Sequence, residues 1–156
     1  MLSVLLCFSL FAGCNKKQND PDTLNIVVYD GGYGSDWLYS LIDIFEKDHP
    51  GKKVNPTLSK NAQTIISRNM NSKDNIDDLY ISIKVDWEIY APQGKLASLD
   101  PVFESTVDDV KIADKVVSAF QNSTRSVCKG EEHHYRAPWT AGVGGLFYNA
   151  EMFEEN

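Results

Sequence analysis

The chain has few means of cross-linking itself or of gripping a phosphate backbone. Only three of its 156 residues are cysteine, namely Cys7, Cys14 and Cys128. The first two lie in or beside an apolar leader, so Cys128 is left as an unpaired thiol and a disulfide framework is excluded. Basic residues are outnumbered: 15 Lys plus Arg face 22 Asp plus Glu, a formal net charge of -7. No stretch gathers the basic residues, which argues against a nucleic-acid partner. Signatures of catalysis and of cofactor binding are missing too. There is no G-x-S-x-G elbow, no H-E-x-x-H pair and no G-x-G-x-x-G turn. His133 and His134 are adjacent, so on a strand they point to opposite faces, and no carboxylate or cysteine at ligand spacing joins them. We read them as part of a solvated hairpin, with no metal. Cys128 beside Lys129 has no identifiable base and is poor evidence for a nucleophile. Internal repeats and low-complexity segments are absent.

What is present is an ordinary globular balance, 42% hydrophobic and 24% charged, enough for one modest core. One apolar run stands out. From Met1 to Ala12 only Ser3 and Ser9 are polar, a length too short to span a bilayer but suited to a signal-peptide core. The following Leu10-Phe11-Ala12-Gly13-Cys14 resembles the processing site of bacterial lipoproteins. That resemblance implies cleavage before Cys14, lipid on its thiol and attachment to the membrane. Phe11 stands where an aliphatic residue is usual, and no Lys or Arg precedes the run. Residues 15–22 contain no apolar side chain and read as a flexible tether, so the working domain starts near Thr23.

From there the pattern alternates between strand and helix. Leu24 to Tyr29 is a mostly apolar, β-branched run closed by Asp30-Gly31-Gly32, as in a parallel-sheet strand buried on both faces. Trp37, Leu38, Leu41, Ile42 and Phe45 then form a helical stripe, with Gly34 or Ser35 as cap and Pro50-Gly51 as stop. Lys53 to Leu58 reads as a second strand, Thr64 to Met70 as a short helix and Asp78 to Ile83 as a third strand. The class is α/β. A further helix is expected from Val107 to Phe120 on the stripe Val110, Ala113, Val116, Val117 and Phe120. Polar residues from Gln121 to Ser126 end it, and strands are expected at 135–138 and 143–148.

In open α/β sheets, ligands bind beyond the carboxyl ends of the strands. The loop after the first strand offers Tyr33 as a flat face and Gly34 and Ser35 as backbone donors at a helix start. A purely structural turn, with Trp37 in the core, explains the same residues. The loop after the third strand sets Asp86 beside Trp87, a pairing suited to hydrogen bonding and stacking on a hydroxylated solute. Asp86 reads equally as the N-cap of a helix starting at Trp87. Trp139, directly after the rigid Pro138, is the favoured stacking platform.

Four ordered segments carry a wider resemblance. They are DIFEKDHPGKKV at 43–54, DDLYIS at 77–82, APQGKLASLD at 91–100 and YRAPWTAGVGGLFYNAEMFEEN at 135–156. Together they resemble the extracellular solute-binding proteins of carbohydrate-type ABC importers, over nearly the whole chain from Leu24. The resemblance implies a periplasmic-binding-protein-like fold, two α/β lobes closing over a solute. On that pattern 1–14 is the signal peptide ending at the lipidated cysteine, 15–23 the tether and 24–138 an incomplete first lobe. Residues 139–142 are the hinge crossing, and 143–156 begin the second lobe. Asn149 would cap that lobe's first helix. Members run longer, so the chain reads as an N-terminal fragment. The implied role is non-enzymatic capture of a sugar or oligosaccharide for ABC permease subunits, without a cofactor. Two other readings stay open: a lipid-anchored glycoside hydrolase using Asp86 and Glu88 or His134, and a non-functional remnant.

Overall fold

The computed structural model describes residues 20–116, 120 and 122–138. The chain divides into two compact units, Met1–Val85 and Asp86–Asn156.

The first unit is built on β1 (Thr23–Tyr29), α1 (Asp36–Asp48), β2 (Lys53–Ser59), α2 (Ala62–Met70) and β3 (Leu79–Ile81). Its three strands form a parallel sheet in the order β2-β1-β3. The apolar run of β1 takes the central place, and Asn25 to Val28 are buried without a break, as expected of a strand covered on both faces. On the β2 edge burial alternates. Pro56 sits there, paired with Ile26, which an edge strand tolerates because one of its sides needs no ladder N–H. Ile26, Val28 and Leu38 form a core to which Leu24, Trp37, Ile42, Val54, Leu58 and Ile81 add. Alternation sends Val27 to the opposite face. There α2, which also packs against β1, buries Ala62, Ile66 and Met70.

Polar contacts fix the register. Asn25 is buried, and its side-chain oxygen accepts from Asn55 Nδ2 at 2.9 Å. Its backbone N–H donates to Asp78 Oδ2 at 2.8 Å, while Asp78 N–H donates back to Asn25 O at 2.8 Å. Glu46 joins α1 to β2, accepting from Lys53 Nζ at 2.7 Å and from Val54 N–H at 3.0 Å. Those two bonds, the lysine's first, hold its carboxyl below the usual range. The helical stripe is narrower than the spacing suggests. Leu38 is buried, but Leu41 is 54% exposed and Phe45 only partly covered.

The second unit contains α3 (Trp87–Tyr90), α4 (Asp100–Glu104), β4 (Thr106–Val107), β5 (Val110–Lys111), α5 (Ile112–Lys115), β6 (Arg125–Cys128) and β7 (Glu131–His134). Trp87, Tyr90, Ala91 and Phe103 supply its buried apolar residues. Here the expected helix over Val107 to Phe120 is corrected. Val107 pairs with Val110 across a two-residue turn. Asp108 and Asp109 occupy it with φ of 53° and 61°, a left-handed geometry that turns a hairpin and stops a helix. Val110 faces solvent, and of residues 107–116 only the single turn of α5 is helical. The strand expected at 135–138 is corrected as well. Those residues are irregular, and the pairing lies upstream, where β6 and β7 flank Lys129-Gly130 with φ of 55° and 89°. The strand expected at 143–148 lies outside the described residues.

Candidate functional site

At the carboxyl end of β1 the chain leaves the sheet through Asp30 to Ser35 and enters α1. Asp30 N–H still donates to Ser59 O at 3.1 Å, so the turn departs from a fixed point. Gly32 and Gly34 have φ of 86° and 72°, values that a side chain makes costly. Gly31 is crowded by side chains instead. A Cβ there would stand 2.7 Å from Tyr29 Cε1 and 2.9 Å from Tyr33 Cε2, so two tyrosine rings flank this glycine. Tyr33 projects outward, 84% exposed. Gly34 O accepts from Trp37 Nε1 at 3.1 Å, which ties the indole to the turn while its ring packs on the core.

Ser35 occupies the N-cap position without a side-chain cap bond. Its carbonyl accepts from Leu38 N–H at 3.0 Å and Tyr39 N–H at 3.2 Å, so the amides of Gly34, Ser35 and Asp36 precede the helical ladder. They lie at the positive end of a 13-residue helix, an arrangement that favours an oxygen-bearing ligand. Tyr33, Gly34 and Ser35, consecutive in sequence, share this turn. Trp37 belongs to the core.

Asp86 and Trp87 lie in the second unit. Asp86 precedes α3, and its carbonyl accepts from Ile89 N–H at 3.0 Å and Tyr90 N–H at 3.2 Å. Its side chain makes no cap bond and is exposed, so the carboxylate is at the surface. Trp87 is only 7% exposed, and in this conformation its indole serves as core. Trp139 and Cys14 lie outside the described residues.

Two features of the strand ends are not marked by the sequence pattern. Tyr29 looks like an ordinary strand residue, yet it ends β1 with its ring against Gly31. Its position as last residue of the central strand was the available signal. Ser82 directly follows β3, and its hydroxyl is buried without a hydrogen-bond partner among the described residues. Nothing in its sequence context marks it. The histidine hairpin is a correction of a different kind. It exists and its turn and both glutamates are exposed, but the two histidines are partly buried and bonded to Asp100. Among the described residues, no group of three or more His, Cys, Asp or Glu side chains is placed to hold a metal ion.

The observation that decides the family is a match between residues 31–156 and the family described as bacterial extracellular solute-binding protein. The chain belongs to this family. No curated relative matches it. Membership gives the chain an extracytoplasmic place and a small-molecule solute to bind as part of ABC-type import. It also fits the parallel α/β unit, a periplasmic-binding-protein-like lobe. Among the described residues, no helix is long and apolar enough to cross a membrane.

Proposed function

We propose that this solute-binding protein captures a carbohydrate, a sugar or short oligosaccharide, and delivers it unaltered to the permease subunits of an ABC importer. The observation that carries this reading is the turn after β1. An aromatic ring 84% exposed stands beside helix-start amides on a glycine scaffold. Sugars offer apolar C–H faces for stacking and hydroxyl oxygens for backbone donors. On this reading Tyr33 stacks, Gly34 and Ser35 donate, and Asp86 accepts from sugar hydroxyls. Trp139 forms a second platform, and Trp87 backs Asp86 from the interior of its unit. The overall acidity suits a neutral ligand.

The same reading tethers the protein to the outer face of the membrane through lipid on Cys14, with residues 15–23 as spacer. Metabolic labelling with a radioactive fatty acid tests the tether: the wild-type chain takes up label and Cys14→Ala does not. For the solute, a calorimetric titration with a panel of mono- and oligosaccharides tests the site. Tyr33→Ala should weaken binding of the best sugar by roughly tenfold, the scale of one lost stacking contact. Unchanged affinity in that variant would reject the turn as the contact surface.

A further inference from the structure

We propose that His133, His134 and Asp100 form a pH-sensitive clasp that holds the β6–β7 hairpin against α4 and loosens as the surroundings turn alkaline. The two histidines are neighbours in sequence but serve different bonds. His133 Nδ1 lies 2.6 Å from Asp100 Oδ2, and its Nε2 lies 3.4 Å from Glu131 Oε2. A carboxylate thus stands near each ring nitrogen, which favours the imidazolium over the neutral ring. The Tyr135 ring stands edge-on to it, centroids 6.2 Å apart.

His134 is placed oppositely. Arg125 Nε donates to its Nε2 at 3.3 Å, and the guanidinium also reaches Glu132 at 3.5 Å. Because arginine can only donate, Nε2 is the acceptor and the proton sits on Nδ1, which lies 2.6 Å from the Oγ1 of fully buried Thr124. The ring stacks on buried Phe103 of α4, centroids 4.0 Å apart. Its backbone completes the clasp: His134 N–H donates to Asp100 Oδ1 at 2.8 Å, and Leu99 N–H donates to His134 O at 2.6 Å. One carboxylate thus joins a permanent backbone donor to a titrating one.

The sign of the pH dependence follows. The backbone bond from His134, ahead of the His133 bond, lowers Asp100 to about 2. Its contribution is present above the ordinary carboxylate range and is lost as pH falls toward that value. Asp100 first, then Glu131, raise His133 above the ordinary imidazole value. Its contribution is complete below that value and is lost as pH rises through the raised one. The His133–Asp100 bond is therefore strongest between the Asp100 value and the raised His133 value, and with rising pH it first weakens on the alkaline side. Tyr135 follows directly and donates its N–H to Thr124 O at 2.9 Å, so the clasp also fixes where the chain leaves the hairpin.

The test is amide hydrogen exchange of the whole 156-residue chain from pH 5 to pH 9, corrected for intrinsic exchange, with imidazole nitrogen shifts followed in the same samples. His134 N–H protection should fall several-fold above neutrality, and His133 should keep its proton to higher pH than a free imidazole. His133→Gln still donates to Asp100 but cannot titrate, and its His134 protection should stay level. Flat protection in the wild type, or the same fall in His133→Gln, would overturn the clasp. If that variant fails to fold, the wild-type titration of His133 decides alone, and a midpoint at or below the ordinary value rejects the proposal.

Discussion

Single residues in the first unit show how position overrides type. Leu38 and Leu41 lie on the same predicted stripe, one turn apart, yet only Leu38 reaches the sheet. Leu38→Ala should cost about 3 kcal/mol, as buried leucine truncations do. Leu41→Ala should stay within about 0.5 kcal/mol, and urea unfolding of the two variants checks the contrast. Tyr80 offers a second test. Its hydroxyl accepts from Asn75 Nδ2 at 2.9 Å, and burial, the largest cause, pushes the phenol up to about 12. Because the protonated form is favoured in the fold, stability should decline as pH climbs from the ordinary phenol value toward 12. In an ultraviolet titration Tyr80→Phe should remove a late-ionising tyrosine from the curve. Neither the burial of Tyr80 nor that of Ser82 is legible in sequence, because both depend on what covers the short β3.

The elements divide by how local their signals are. The strand–turn–helix of β1 and α1 was readable because its apolar run, glycine turn and proline stop are all local. The parallel sheet followed from the alternation of strand and helix. The second unit was less legible because its elements are two to five residues long, too short for periodicity to tell helix from strand. Over Val107 to Phe120, apolar spacing suggested a helix, whereas the left-handed pair Asp108-Asp109 makes a hairpin. Asp109→Ala separates the two. A helix would gain from alanine, but at φ of 61° the substitution should cost about 1 kcal/mol, read as a lower melting temperature. The β6–β7 hairpin was hidden for a related reason, since its strands are polar and charged. Its order comes from Asp100, more than 20 residues upstream.

For the whole molecule, the family match over residues 31–156 makes binding of a solute the activity to test. The candidate site is legible only in part. Tyr33, Gly34 and Ser35 converge because they share one turn, whereas Asp86 and Trp87 are set by α3, which buries the indole and exposes the carboxylate. The most direct test of solute capture is the intrinsic tryptophan fluorescence of the chain, titrated with a panel of sugars and oligosaccharides. A saturable change with at least one of them, weakened roughly tenfold or more in Asp86→Ala and Trp139→Ala, is the predicted result. No response to any sugar, or turnover of a chromogenic glycoside by the same protein, would contradict it.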